Sequence, residues 1–416
     1  MSTRRSFLIG SSLTAAASRS AVGANEKIRV GFIGAGTRGS YMATVAEKNE
    51  DCQILAMCDV YKKTLDAAVG KLKVSKPDTY GDYRRVLDRK DLDAIYIATP
   101  DHWHSPMIVE ATQAGKDVYC EKPLSNSIEA AVKAVDAVKK YNRVAQIGLQ
   151  QRSWDHFQRC AELVQSGMFG TIFHCQLHWS GSYTRAAEAP TPVPEGLDWE
   201  MFQGPAPRHP FSPNRLFWRS FYDYGGGIIT DQGVHVADVV CWYMKNRVPI
   251  SVSAEAQYSL VLPPNPECPP DSVQIACKYD KYLMTFTNAY FPQTDYAADQ
   301  GNYFYGSKGA LHVNRQSYTY RVMPGRGLAM PSRDEPRGGT PPAPAFEPVN
   351  EKFAYVGGPS DSAHIRNWLD CIKSRETPRT GVETGFYSTL PLLMALLAIR
   401  NDKTYVWDDQ NRVAKA

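Results

Sequence analysis

Three short motifs in this chain carry residue types whose chemistry can be combined. They are Gly34-x-Gly36-x-x-Gly39, Glu121-Lys122-Pro123 and Asp231-x-x-x-His235. A glycine loop can hold a dinucleotide, a lysine can stabilise a developing negative charge, and an aspartate–histidine pair can hold and move a proton. Together the motifs indicate a dinucleotide site with a lysine and a proton-transferring Asp–His pair beside it.

The glycine motif lies between a predicted strand and a predicted helix. The apolar run Ile28–Ile33 predicts the strand, and a helix-compatible stretch follows the glycines. Gly34 allows a tight turn, Gly36 lets the backbone approach a pyrophosphate, and Gly39 permits close packing of the helix. The helix N-terminus then offers amide donors and a positive dipole to the phosphates.

An acidic residue at the expected distance supports a dinucleotide ligand. Asp59 lies 20 residues past Gly39, at the end of the apolar run Gln53–Cys58, which predicts a second strand. A carboxylate in this position bonds the ribose 2′-hydroxyl and repels a 2′-phosphate, which favours NAD. Lys62 and Lys63 follow closely, so NADP stays open.

Composition limits the other classes of function. The chain has 416 residues, of which 43% are apolar and 22% charged, and this is enough for two globular domains. A formal charge of +4 without a basic tract gives no indication of nucleic-acid binding. The nine cysteines show no CxxC spacing, so we expect buried free thiols, including Cys120, rather than a disulfide framework.

The first 24 residues are predicted to be a targeting signal and not part of the fold. Thr3–Leu8 contains an arginine pair that resembles a twin-arginine export signal, and Val22–Ala24 is a small-residue site. A disordered basic N-terminus is the alternative. We therefore expect the twin-arginine machinery as a partner, a periplasmic or secreted mature protein, and no stable membrane span, since no other stretch reaches about 20 apolar residues.

Behind the glycine loop, strands and helices are predicted to alternate as in a doubly wound sheet. The predicted helices are 61–73, 82–87, 104–114 and 127–140, and the predicted strands are 93–98, 117–120 and 144–148. They complete a Rossmann domain over residues 27–148. Ligands of such sheets lie beyond the carboxyl ends of the strands, where Thr99–His104 and Glu121–Pro123 fall.

The motifs GFIGAGTRG, TPDHWH, CEKP and DQGVH, in this order and spacing, resemble the Gfo/Idh/MocA oxidoreductase family. The resemblance implies an α/β fold in which an N-terminal Rossmann NAD(P)-binding domain is followed by a C-terminal α/β domain with an open, mostly antiparallel sheet. That second domain, predicted over 149–403 with a tail at 404–416, would carry the substrate and the interface of a homodimer or homotetramer. The proline-rich stretches Ala189–Pro213, Pro263–Pro270 and Pro324–Pro348 predict long loops.

The resemblance also implies roles for individual residues. It places Lys122 beside the nicotinamide and the reacting hydroxyl, where an ammonium would stabilise the developing alkoxide. Asp231 and His235 are spaced i, i+4, so on one helix they would face the same way. His235 would then be the acid/base, with Asp231 holding it or a substrate hydroxyl. A structural histidine is the alternative.

The resemblance also places other residues at positions that lie near the nicotinamide in the family. His102 and His104 match the loop beside the cofactor. Two histidines at this spacing could indicate a metal, but without HExxH or a carboxylate partner we predict no metal site. Gln150 and Arg152 follow the last Rossmann strand, where the family places polar residues. An interdomain ion pair is an equal alternative for Arg152.

The predicted site residues fall into three groups. The catalytic residues are Lys122, Asp231 and His235. The cofactor-binding residues are Gly34, Gly36, Thr37, Arg38, Gly39, Asp59, Thr99, Pro100, His102, Trp103, His104, Glu121, Lys122 and Gln150. The substrate-binding residues, which include aromatic side chains suited to a sugar face, are Lys122, Arg152, Trp179, Arg219, Tyr222, Tyr224, Asp231 and His235.

The sequence thus predicts an exported NAD(P)-dependent oxidoreductase that moves hydride between a carbohydrate carbinol carbon and a tightly held nicotinamide. A second hypothesis is a glycosidase that uses NAD transiently, similar to α-N-acetylgalactosaminidases of the family. The Arg38 version of the glycine loop and the Trp103-His104 pair favour it, whereas the Lys122 and His235 motifs match the dehydrogenases. A third hypothesis is a non-catalytic sugar-binding protein.

Overall fold

A computed structural model describes residues 27–289, 300–322, 349–352 and 359–416. The predicted export signal at residues 1–24 and the proline-rich stretch Pro324–Pro348 lie outside the described residues. The predicted division into domains is therefore considered from residue 27 onward.

The N-terminal part is a six-stranded parallel sheet in the order β3-β2-β1-β4-β5-β6. Its strands are β1 Ile28–Ile33, β2 Cys52–Cys58, β3 Asp78–Tyr80, β4 Ala94–Ile97, β5 Asp117–Cys120 and β6 Ala145–Ile147. Its helices are α1 Thr37–Ala46, α2 Lys62–Val69, α3 Tyr83–Leu87, α4 Asp101–Gln113 and α5 Ile128–Lys140. This strand order confirms the predicted Rossmann fold.

The central strands are apolar because helices cover both faces of the sheet. Every residue of β4 and β5 is buried, as is usual for inner strands of a parallel sheet. On one face Tyr96 stacks between Phe32 and Tyr119, with ring centroids 4.6 and 4.4 Å apart. The packing fixes the carboxyl ends of β1, β4 and β5 at one edge, where the ligand motifs follow.

The second part contains a ten-stranded, mostly antiparallel sheet in the order β14-β13-β12-β11-β7-β10-β9-β8-β15-β16, which confirms the predicted architecture. Its strands are β7 Ile172–His178, β8 Ser251–Gln257, β9 Ser272–Lys278, β10 Leu283–Thr287, β11 Gly301–Gly306, β12 Gly309–Val313, β13 Ser317–Val322, β14 Val349–Lys352, β15 Tyr405–Asp408 and β16 Val413–Lys415. Its helices are α6 Asp155–Gln165, α7 Trp199–Gln203, α8 Gly227–Asp231, α9 Gly233–Met244, α10 Pro359–Ser374 and α11 Val382–Asn401, and short 3₁₀ turns occupy Gln150–Ser153, Pro213–Leu216 and Trp218–Ser220.

Two segments differ from their predicted place. Residues 404–416 are not a tail, because β15 and β16 extend the large sheet and Trp407 is buried in its core. Helix α10 packs on the first domain, where Trp368 meets the rings of Tyr96 and Tyr119 edge-on at 6.4 and 5.6 Å. The chain therefore returns to the Rossmann sheet near its end, and α10 completes that sheet's core.

Some element boundaries also differ. Helix α4 begins at Asp101, not at His104, so the two histidines of TPDHWH lie in its first turns rather than in a loop. The predicted loop Ala189–Pro213 contains α7, which Asp198 caps by accepting a hydrogen bond from the Met201 backbone at 2.8 Å.

All nine cysteines are buried free thiols, as expected. Among the described residues, helix α11 is the one segment long and apolar enough to cross a membrane. It lies in the core of this fold, with 72% of its most apolar window buried.

Candidate active site

The glycine loop has the geometry that close approach to a phosphate requires. Gly34 has a φ of +91°, and a Cβ there would clash with the Ala98 carbonyl, while a Cβ on Gly39 would clash with the Gly34 carbonyl. By contrast, nothing lies within 4 Å of the Cβ position of Gly36. The loop thus leaves open space in front of helix α1, whose first amides can bind an anion.

The Asp59 side chain is bonded to the backbone of the glycine loop. Its two carboxylate oxygens accept hydrogen bonds from the backbone N–H groups of Ala35 at 2.7 Å and Tyr61 at 2.9 Å. Burial raises the pKa of this carboxyl group. Asp59 lies on a largely apolar cavity of about 310 Å³, together with Gly34, Pro100 and Trp103. Such a cavity fits an adenosine, with Asp59 next to the ribose.

A larger cavity of about 990 Å³ adjoins the first. Five residues line both cavities: Gly36, Ala98, Thr99, Leu216 and Trp218. The two cavities therefore adjoin at these residues, one of which is Gly36 of the glycine loop. This arrangement fits an extended dinucleotide, with the adenosine half in the small cavity, the pyrophosphate at the glycine loop and the nicotinamide half in the large one.

Lys122 follows β5 and reaches the wall of the large cavity. Its Nζ donates hydrogen bonds to Oδ1 of Asp231 at 2.6 Å and to the Asp231 backbone carbonyl at 2.8 Å. An ammonium has three donors, so one is left for a bound hydroxyl.

Asp231 is held as an anion by several donors. Arg219 donates from Nε at 2.9 Å, Gln232 from Nε2 at 2.8 Å and Tyr183 from its hydroxyl at 3.2 Å. Burial opposes ionisation of this carboxyl group, but Lys122 and Arg219 outweigh it and keep its pKa below the usual range. Asp231 therefore positions the lysine, and no hydrogen bond joins it to His235, contrary to one of the two expected roles.

Asp231 and His235 do not lie on one continuous helix, so that prediction was wrong. Asp231 ends α8 and His235 lies in the first turn of α9, with a break at Gln232. The glycines of this segment, including Gly227 with a φ of +62°, make an uninterrupted helix costly. Both side chains nevertheless line the large cavity.

His235 is a neutral imidazole at neutral pH. Burial, followed by the charges of Lys122 and Arg315, lowers its pKa well below the ordinary value. Its Nδ1 is buried and has no hydrogen-bond partner among the described residues. Trp179 stacks near the ring, with centroids 6.5 Å apart. A neutral imidazole on a cavity wall has a lone pair that can take a proton, although a pKa this low makes it a weak base.

The structure brings most of the predicted residues to the two cavities. Those on the large cavity are Gly36, Thr37, Arg38, Thr99, His104, Glu121, Lys122, Gln150, Arg219, Asp231 and His235. Arg38 does not extend toward the phosphate position with a free guanidinium. It bonds Oε1 of Glu121 at 2.7 Å and Oδ1 of Asp361 at 2.8 Å, so its charge is already compensated.

Six predicted site residues line neither of these cavities. Gly39 lies against the Gly34 carbonyl, and Trp179 lines a separate cavity of about 250 Å³. The other four make contacts inside the protein. Nε2 of His102 contacts the Phe202 carbonyl at 3.1 Å inside the protein. Arg152 forms a two-pronged ion pair with Asp238 of α9, so it is an ion-pair residue, but the pair lies within the second domain and not between the domains. Tyr224 is buried in an aromatic cluster, and Tyr222 lies beneath Arg400. These side chains hold the second domain together and against the first.

Sequence reasoning missed several cavity residues. They are Trp154, Tyr183, Arg185, Phe217, Gln232 and Arg315 on the large cavity, and Leu197, Met201 and Phe202 on the small one. Gln232 could have been noticed within DQGVH. The others come from loops, turns and the short helix α7, which carry no motif. Among the described residues no group of three or more His, Cys, Asp or Glu could hold a metal ion.

Comparison with known proteins agrees with this architecture. The family models described as "Oxidoreductase family, NAD-binding Rossmann fold" and "Oxidoreductase family, C-terminal alpha/beta domain" match residues 28–149 and 161–261, together more than half of the chain. A curated relative, the alpha-N-acetylgalactosaminidase of Shewanella oneidensis, is 30% identical over 156 residues. That match spans 36% of this chain and 34% of the relative, about a third of its length.

Solved structures share the whole fold. The aldose-aldose oxidoreductase of Caulobacter crescentus, complexed with glycerol, aligns with a TM-score of 0.63 at 19% identity over 92% of this chain and 100% of that one. The WlbA dehydrogenase of Bordetella pertussis, complexed with NADH and UDP-GlcNAcA, gives 0.63 at 19% identity over 92% and 98%. With both domains matched by the family models, the chain belongs to the Gfo/Idh/MocA oxidoreductase family.

Proposed function

We propose that this protein oxidises a carbinol carbon of a carbohydrate with a nicotinamide dinucleotide that stays bound. The observation that carries the proposal is that Lys122 and neutral His235 line the same cavity, which adjoins a second cavity at the glycine loop. The names of similar proteins, an aldose-aldose oxidoreductase among them, support a carbohydrate substrate.

The chain's own residues can manage the charge that such a reaction creates. When bound, the nicotinamide supplies the hydride acceptor. The free donor of Lys122 would bond the substrate hydroxyl oxygen and stabilise it as its proton leaves. His235 would accept that proton at Nε2, since its Nδ1 is buried, and this requires the tautomer protonated at Nδ1. Asp231 holds Lys122 in place throughout.

The direct test is to measure the released nucleotide per chain after denaturing the purified protein, and then to add single sugars to the intact protein. We expect close to one nucleotide per chain and a rise in nicotinamide absorbance with a subset of sugars, reversed by a second sugar. Turnover that strictly requires added, freely exchanging NAD would contradict the retained cofactor. No reduction with any sugar or polyol would contradict the oxidation itself.

A redox-neutral glycosidase is the second candidate, because a curated relative is named alpha-N-acetylgalactosaminidase. It would begin with the same oxidation and continue by elimination of the glycoside. An aryl α-N-acetylgalactosaminide separates the two functions. Release of the aryl group without net nicotinamide reduction would favour the glycosidase.

Retention of the cofactor is supported by a cover over the adenosine cavity. We call residues 196–218 the strap. Its Leu197, Met201 and Phe202 line that cavity. Main-chain hydrogen bonds of 2.9 Å tie it to the first domain, from Asp198 N–H to the Val60 carbonyl and from Lys62 N–H to the Gly196 carbonyl. We therefore expect the strap to slow the release of a bound adenosine.

The variant Met201→Asp is therefore expected to release nucleotide about tenfold faster, because it removes apolar contact and adds charge at the cover. Met201 is only half-buried, so the fold should tolerate the change. Nucleotide remaining after timed dialysis measures the effect, with Glu200→Gln on the exposed side of the same helix as the control. Equal retention in both variants would contradict a covering role for the strap.

We also propose export by the twin-arginine route. The arginine pair Arg4-Arg5 supports it, and so do nine buried free thiols, which suit folding in a reducing compartment before export. Fractionation of cells that produce the full chain, with an Arg4→Lys, Arg5→Lys variant as control, tests this localisation.

A further inference from the structure

The charged residues that line the large cavity are not balanced. The cations are Arg38, Lys122, Arg185, Arg219 and Arg315, and the anions are Glu121, Asp231 and Asp361. His235 adds no charge at neutral pH, because burial and nearby cations lower its pKa. Among the described lining residues the cations therefore exceed the anions.

The excess does not come from the residues at the glycine loop. At the glycine loop, Arg38 is bonded to both Glu121 and Asp361, so this end already carries more negative than positive charge. A pyrophosphate here would rely on backbone amides at the start of α1. The cofactor's phosphates therefore do not account for the cations elsewhere in the cavity.

Away from the glycine loop, Asp231 is the one carboxylate among the described lining residues, against the three cations Lys122, Arg185 and Arg219. Asp231 is bonded to Lys122 and Arg219 and so compensates at most one of them. Arg315 stacks on Trp179 with its guanidinium 4.6 Å from the ring centroid, and its charge lowers the pKa of His235. Away from the glycine loop, the described lining residues therefore carry a net positive charge.

Arg185 is the clearest of these groups. Its guanidinium stacks on Phe217, 3.8 Å from the ring centroid. Its side chain makes no hydrogen bond or ion pair with any described residue, and its Nε is buried. Its backbone carbonyl accepts a hydrogen bond from Asn265 at 3.0 Å, which fixes the residue in place. A positioned guanidinium without a partner suits a planar or tetrahedral anion.

We propose that the substrate is an acidic carbohydrate whose carboxylate, sulfate or phosphate group binds Arg185 in this positively charged part of the cavity. The inference rests on the proposed carbohydrate oxidation and names the class of substrate. A neutral sugar would leave the Arg185 guanidinium stacked and only partly solvated, whereas an acidic one would give it a charge-assisted pair.

The test is binding to the purified protein with its nucleotide, measured by calorimetry. The probes are glucuronate and galacturonate, their neutral parents glucose and galactose, and glucose 6-sulfate and glucose 6-phosphate. We expect at least one acidic probe to bind about tenfold or more tightly than its neutral parent. Preference for an ester over a uronate would identify the anion as the ester and still support the proposal.

The variant Arg185→Gln should remove the preference for the acidic probe while leaving the melting temperature and nucleotide content unchanged. Arg208→Gln, at an exposed arginine of the strap, is the control and should keep the preference. The proposal is overturned if neutral sugars bind as tightly as acidic ones, if no acidic probe binds, or if Arg185→Gln keeps the difference.

The two proposals fail separately. An acidic sugar that binds through Arg185 but never reduces the bound nicotinamide would contradict the oxidation and leave the anion site standing. Neutral sugars that reduce the nicotinamide with no advantage for acidic ones would contradict the anion site and leave the oxidation standing.

Discussion

Substituting Lys122 by methionine is expected to lower the rate of carbohydrate oxidation by about 100- to 10,000-fold, measured as reduction of the bound nicotinamide in a single turnover. Methionine keeps the unbranched shape but removes the one ammonium donor that Asp231 leaves unused. The loss should appear in the rate of the chemical step, because the hydrogen bond from Lys122 is the contact proposed to stabilise the developing alkoxide.

The same substitution removes one partner of a buried ion pair, so a lower melting temperature is expected as well. Asp231 retains Arg219, Gln232 and Tyr183 as donors, which should keep the variant folded. Lys133→Met, at an exposed position of α5, is the matched control. A folded Lys122→Met protein that holds its nucleotide and oxidises sugars at the normal rate would rule out the proposed role.

Substituting Gly36 by valine is expected to abolish nucleotide retention, with the content per chain falling to near zero. Gly36 has a φ of −60° and nothing within 4 Å of its Cβ position, so the protein itself can accommodate the side chain. The added methyl groups would instead occupy the space between the two cavities, where the pyrophosphate is expected.

Nucleotide released on denaturation, together with the melting temperature of nucleotide-free protein, measures this effect. Gly70→Val is the control, because Gly70 is exposed and a Cβ there meets only ordinary contacts at 3.4 Å. Normal nucleotide content in Gly36→Val would mean that the dinucleotide does not cross the glycine loop.

The Rossmann domain could be predicted because its signals are local. Alternating apolar runs and helical periods indicate the strands and helices, and a glycine with a positive φ is needed at Gly34 wherever this turn is built. Parallel strands bring their carboxyl ends to one edge, so Lys122 and Thr99 could be expected near each other before any contact was known.

What could not be predicted depends on contacts between distant segments. Nothing near Trp368 indicates that α10 packs against Tyr96 and Tyr119 of the first domain. The break at Gln232 arises because glycines weaken a helix whose two parts pack separately. Arg185 carries no motif, and its place on the cavity is set by the fold of the second domain.

The position of α10 has a consequence for biosynthesis. The apolar face of the Rossmann sheet that Trp368, Leu369 and Ile372 cover belongs to strands made more than 200 residues earlier. During translation that face stays uncovered until almost the whole chain has left the ribosome. We therefore expect the nascent N-terminal domain to expose this apolar surface to chaperones for most of the synthesis of the chain. A ribosome that stalls before residue 359 would leave a domain in which α1 and α2 cover only part of that core.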